Sequence, residues 1–362
     1  MKQLSVTQKR NLVKKSNKAL RLLSRKKKWR INQQHSTNEK TNQHEMDLLT
    51  YNYKTHRISA PKELDLIEYP QETTEYFFKV HEAISKCPPR DGIFFDLSIT
   101  EKIAANAVMY IIALIYNTKR IKASKISSGG NEPKTAEAKE VLNKVGFFDY
   151  VKSRAFHPRD NGENQIKILQ GKTSNNELAA KICDFVHEKT HNLIDRLGTK
   201  RLYAMLIELM NNAFQHAYDS TQDKNYIMYC NWYVYVENME DKICFVFLDT
   251  GLGIPKTIRR SYAEKFAEVM GWQKEAMFIS SALRGMFRTE TGEKHRGKGL
   301  PEIYQNVCQK AISSLSIMSG RGLCHVNEDG SIIEKSLNYE FKGTLFTWYL
   351  NKGGKLHENN YC

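Results

Sequence analysis

The sequence predicts an α/β (α+β) protein built from two unequal domains behind a basic tail. Its length of 362 residues exceeds what a single core usually spans. Residues 60–155 alternate short apolar runs with helical patterns, as a small α/β unit does. Residues 165–355 carry an amphipathic helix followed by two strand-like runs, the first rich in Tyr, Trp and Val and the second with apolar residues at every second position.

The N-terminal 30 residues are crowded with lysine and arginine, and the first carboxylate is Glu39. This segment reads as a basic amphipathic helix or a disordered arm. It is suited to a DNA or RNA phosphate backbone, or to serving only as a solvated tail. The polar stretch up to residue 58 reads as a linker, so that 1–58 stand apart from the folded part.

Residues 75–85 have the spacing of an amphipathic helix, and Pro88-Pro89-Arg90-Asp91-Gly92 is a turn signal. Ile93-Phe94-Phe95-Asp96-Leu97-Ser98 is expected as a buried strand. An apolar helix is expected to open at Thr100 and Glu101 and run to about Tyr116. Residues 122–127 are a further strand candidate, and Gly129-Gly130-Asn131-Glu132-Pro133 a loop. A helix over 135–145 should end at Gly146. Residues 175–197 predict another, stopped by Gly198, with Thr199 capping the next.

That next helix, residues 200–218, places Glu208, Asn212 and His216 four apart on one face, with Leu206, Leu209, Met210 and Ala213 free to pack beneath. A carboxylate and an amide oxygen so placed suit a Mg2+–phosphate site, because magnesium is a hard cation that takes oxygen ligands. Strands are expected at 227–236 and 242–248, joined by a turn at 237–241. The second runs into Asp249-Thr250-Gly251-Leu252-Gly253-Ile254. Glycines there let the backbone approach a ligand, and the carboxylate can accept the exocyclic amine of adenine. A helix is expected around 276–287. Gly297-Lys298-Gly299-Leu300 then opens another, where exposed N–H groups favour phosphate. Gly343-Thr344 begins a last strand over 345–350, with a hydroxyl able to touch the same pocket.

In this order, Glu-x-x-x-Asn, Asp-x-Gly-x-Gly, Gly-x-Gly-Leu and Gly-Thr resemble the GHKL ATPases (gyrase, heat-shock chaperone, histidine kinase, MutL) over residues 165–355. The resemblance implies a Bergerat-type two-layer sandwich with a mixed, mostly antiparallel sheet, binding ATP and Mg2+. It implies Asn212 as magnesium ligand, with Glu208 beside it as the group that orients or deprotonates the attacking water or hydroxyl and as a further oxygen within reach of the metal. It implies Asp249 as reader of adenine, Gly251 and Gly253 lining the pocket, Gly297, Lys298, Gly299 and Leu300 around the phosphates, and Thr344 beside the base. A mobile lid would span about 256–296, with Gly271, Gly285 and Gly292 suited to movement.

Residues 60–155 resemble a STAS-like domain, on Phe95-Asp96-Leu97-Ser98, the apolar helix and Val141-Leu142-Asn143-Lys144-Val145-Gly146. That family's phosphorylatable hydroxyl is missing, since the matching region reads Ala104-Ala105-Asn106-Ala107. The resemblance therefore implies a docking module for a protein partner. The preferred function is a Mg-ATP-hydrolysing conformational switch. An anti-sigma-type serine protein kinase and a nucleic-acid-associated ATPase are the alternatives, and a homodimer is left open.

Other features narrow the classes. Hydrophobic residues make up 41%, enough for ordinary cores. The net charge of +15 favours anionic partners. The seven cysteines contain no C-x-x-C spacing, and read as free thiols of a reducing compartment. The basic N-terminus is not followed by an apolar stretch, and the run 103–116 is too short to cross a bilayer, so a cytoplasmic protein without membrane contact is expected. Gly171-Lys172-Thr173 resembles the end of a Walker A loop, but position 166 is Ile where a glycine is required. His187-Glu188 faintly resembles a phosphoacceptor box, without the long hairpin that should follow it.

Overall fold

Along residues 243–248, Ile243, Phe245 and Phe247 enter one hydrophobic core while Val246 and Leu248 enter another. A strand buried on both faces needs a layer on each side, and the computed structural model shows both. It describes residues 54–87, 91–121, 127–151, 163–191, 194–215, 231–261, 274–287 and 299–352. The basic arm of residues 1–30, His216, Gly271, Gly292, Gly297 and Lys298 lie outside the described residues.

The chain is mixed α/β, with parallel and antiparallel sheets. Its elements are β1 (Thr55–Ser59), β2 (Glu63–Leu64), α1 (Pro70–Lys86), β3 (Gly92–Asp96), β4 (Lys102–Ile103), α2 (Ala105–Ile121), β5 (Ser127–Gly130), α3 (Ala136–Lys144) and α4 (Phe147–Val151). There follow β6 (Gln165–Gly171), α5 (Asn176–Lys189), α6 (Arg196–Gln215), β7 (Trp232–Asn238), β8 (Lys242–Asp249), α7 (Ile254–Ser261), α8 (Glu275–Leu283), α9 (Gly299–Cys308), β9 (Ser314–Val326) and β10 (Ile332–Asn351).

The larger sheet runs β6-β7-β8-β10-β9, and every described pairing in it is antiparallel. Helices α5, α6, α8 and α9 supply the core on one of its faces. The other face meets α2, which also touches β5 of the parallel sheet β1-β3-β5. Residues from Ala60 to Val145 thereby share a core with Tyr233, Tyr235, Leu248 and Leu345, and Lys54–Cys362 form one compact unit. Among the described residues no helix is long and apolar enough to cross a membrane.

Several boundaries differ from the sequence expectation. The linker read for 31–58 ends in β1, which pairs in parallel with β3. Thr100 and Glu101 precede the apolar helix: β4 intervenes, paired with β2, and α2 starts at Ala105. Gly129 and Gly130 belong to β5, not to a loop. Gly198 does not stop a helix, and Thr199 does not cap one; both lie inside α6. The preceding helix ends at Lys189, and Asp195 Oδ1 accepts the Gly198 N–H at 2.6 Å, so the aspartate supplies the cap locally assigned to Thr199. By contrast α3 lies close to its expected range, with Thr135 capping its start and Gly146, at φ 81°, as the expected stop.

Candidate functional site

The site begins with strand register. Asp249 ends β8, facing Trp232 of β7 on one side and Thr344 of β10 on the other, and Thr344 in turn faces Ser319 of β9. Side chains alternate along a strand. Phe247, Phe346 and Ile317, two positions from these residues, belong to the helix-side core. Asp249, Thr344 and Ser319 therefore form a polar row at the end of the sheet, on the face that the helices cover.

Short contacts tie the row together. Asp249 Oδ1 accepts the Gly251 N–H at 2.7 Å, and the Thr344 hydroxyl bonds to the same carboxylate. Ser319 Oγ donates to the Gly343 carbonyl at 2.9 Å, accepts the Ile254 N–H at 2.9 Å and lies 3.3 Å from Thr344 Oγ1. Two glycines make this closeness possible. Gly343 has φ +113°, and a Cβ there would stand 2.2 Å from the Asp249 carbonyl oxygen. Gly253 has φ +84°, and its Cβ would meet Ser319 Oγ at 2.7 Å. Burial pushes the Asp249 carboxyl up to about 6, against the lowering effect of the Gly251 N–H and the Thr344 hydroxyl. The half-buried carboxylate is thus under-solvated by the two donors it has.

Trp232, at the edge of the row, is held from behind. Its Nε1 donates to the Thr173 carbonyl at 2.9 Å, and a Cβ on Gly171 would lie 2.1 Å from its ring. Gly171-Lys172-Thr173, discarded above as a phosphate loop, is thus the seat of an indole.

A second group stands on α6, whose Leu206, Leu209, Met210 and Ala213 pack with Trp232 and Phe247 over the same sheet face. Glu208 is hydrogen-bonded by Asn212, as i, i+4 spacing allows. Its carboxyl is raised by burial first and by the nearby Glu302 charge second, while the Asn212 bond opposes both. The start of α9 rests on it: a Cβ on Gly299 would fall 2.0 Å from Glu208 Oε1. Leu300 packs beside the helix-side core. A cleft of about 240 Å3 opens from this contact between α6 and α9, lined by Arg201, Met205, Glu208, Gly299, Glu302 and Asn306 among others.

Two groups therefore emerge: Asp249 with Gly251, Gly253 and Thr344, and Glu208 with Asn212 and Gly299. The helix bearing the second covers the sheet face bearing the first. Ser319 is absent from the residues that the sequence points to, because no strand is expected over 314–326, whereas Gly343 stands in the Gly-Thr motif without a stated contact. The alternation of Leu315 and Ile317 leading to Ser319 was the available signal. Among the described residues no three His, Cys, Asp or Glu side chains are grouped to hold a metal ion.

The expected lid is partly corrected. Within 256–296, α8 is built into the core, with Phe278, Ile279 and Leu283 buried. Glu275 at its start accepts Arg259 Nη1 and the Arg321 N–H, each at 2.6 Å. Gly285, at φ 78°, terminates this helix, its N–H bonded to the Ala282 carbonyl. An apolar helix seated on β9 cannot swing as a lid without exposing that surface.

No protein-family model matches the chain. No curated protein matches it either.

Proposed function

We propose that residues 165–355 bind Mg-ATP in a Bergerat-type, GHKL-like site and that the protein hydrolyses it as a conformational switch. The observation that carries this reading is Asp249. It is a half-buried, under-solvated carboxylate at a strand end, among glycines that bring backbone close, on the sheet face covered by the Glu208–Asn212 helix. A carboxylate so placed gains by accepting a donor, and the exocyclic amine of adenine supplies one.

In this reading Asp249 accepts that amine and Thr344 lies beside the base. The donor set fits a hard cation, because Asn212 and Glu208 can each present an oxygen atom, the Asn212 amide N–H being engaged by Glu208. Asn212 would hold Mg2+, which supplies charge neutralisation on the phosphate oxygens when bound. Glu208, with its carboxyl shifted toward neutrality, orients the attacking water and takes its proton. The first turn of α9 turns its N–H groups toward the phosphates.

Titration calorimetry with Mg-ATP tests the base assignment. Asp249→Ala should weaken binding by about 1.5–3 kcal/mol, roughly 10- to 100-fold. Unchanged affinity refutes it. Incubation with γ-labelled ATP distinguishes the outcomes of the site: free phosphate supports the switch, whereas label on protein replaces it with the serine-kinase reading.

A further inference from the structure

β10 delivers Thr344 to Asp249, yet the residues just before Thr344 are poorly held by the sheet. Pairing with β8 begins only at Thr344, and pairing with β9 shifts register between Ser336 and Phe341 and again between Phe341 and Thr344. An irregular strand segment lacks part of the ladder hydrogen bonding that would otherwise fix its backbone.

The N-terminal layer holds it instead. Gln71 of α1 grips two points of the strand, donating through Nε2 to the Ser336 carbonyl at 2.9 Å and accepting the Asn338 N–H at 3.0 Å. Phe78 meets Tyr339 at 5.1 Å between ring centroids, and Tyr110 of α2 meets Phe341 at 4.6 Å. The Tyr110 hydroxyl then donates to the Lys342 carbonyl at 3.1 Å, one residue from Gly343. His81 Nε2 lies 2.8 Å from that hydroxyl, and burial keeps its ring neutral. With the phenol proton committed to Lys342, His81 donates through Nε2–H and fixes the phenol's direction. On the other side Ser319 holds the Gly343 carbonyl. The strand is thus clamped from both sides immediately before it reaches the carboxylate.

From this geometry we infer that Tyr110, oriented by His81, is a positioning residue for the nucleotide pocket. It acts through the Lys342–Gly343 backbone to place Thr344 against Asp249. The inference rests on the ATP reading and gives the 60–155 layer a task in base recognition.

Tyr110→Phe removes the hydroxyl alone. It should weaken ATP affinity about threefold to tenfold. It should also lower the ratio of ATP to GTP affinity, and leave kcat at saturating ATP unchanged, because the Glu208 group is untouched. Tyr76→Phe is the control: its buried hydroxyl has no described partner, and its loss should move none of the three. If Tyr110→Phe fails to fold, Gln71→Ala, at an exposed contact, decides by the same readouts with an expected loss of about twofold to fivefold. A parent protein that binds no ATP overturns the proposed function. A parent that binds, together with a folded variant of unchanged affinity and base preference, overturns this inference alone.

Discussion

Replacing Asp249 by asparagine keeps the shape of the strand end and removes its charge. The amide oxygen can still accept the Gly251 N–H, and the Thr344 hydroxyl can turn to accept from the new amide nitrogen. Burial carries the Asp249 carboxyl from 3.8 to about 6 in the folded protein. For an acid whose folded value is raised, protonation favours the native state. Its stabilising contribution is complete below about pH 4 and is lost as pH rises through 6. The shift of roughly two pH units corresponds to at most about 3 kcal/mol, reduced by whatever solvent reaches the half-buried group. Asp249→Asn should therefore be more stable than the parent at pH 8, by up to about 3 kcal/mol, and no more stable at pH 4. Binding runs the other way. If adenine binds the ionised carboxylate, parent affinity falls about tenfold per pH unit below 6, while the variant binds more weakly at pH 8 and lacks this slope. Thermal unfolding across pH 4–8 and calorimetry across pH 5–8 are taken as differences between the two proteins, which cancels the nucleotide's own titration. A variant less stable than the parent at pH 8, or one with the parent's binding slope, would refute the reasoning.

Two further substitutions probe the neighbouring groups. Glu208→Gln should retain ATP affinity within about threefold and lose about 100- to 10,000-fold in phosphate release; parent-like turnover would remove Glu208 from the chemistry. Gly343→Ala places a Cβ 2.2 Å from the Asp249 carbonyl at a backbone φ of +113°, and should cost at least about 2 kcal/mol in denaturant unfolding. An unchanged midpoint would mean that the strand ends do not approach so closely.

Local periodicity made part of this molecule legible in advance. Alternation over 242–248 marked β8, Thr135 and Gly146 bracketed α3, and the spacing of Glu208 and Asn212 placed them together on α6. Each pattern depends only on neighbours within a few residues, which share a helix face or a pleat wherever the element finally packs. Tertiary structure decided the rest. Gly198-Thr199 carries a helix stop and cap in its letters, yet the preceding Asp195 captures the N–H and the helix runs through. The 20-residue β10 pairs regularly with β9 over 332–336 and again from Thr344, while the irregular stretch between them is covered by α1 and α2. The same holds for Ser319 and Tyr110. Their significance depends on which distant strand lies alongside and in what register, and a one-residue slip would turn Thr344 away from Asp249. Register is set by burying both faces of the sheet at once, a property of the whole packed unit that the chemistry of any short stretch does not contain.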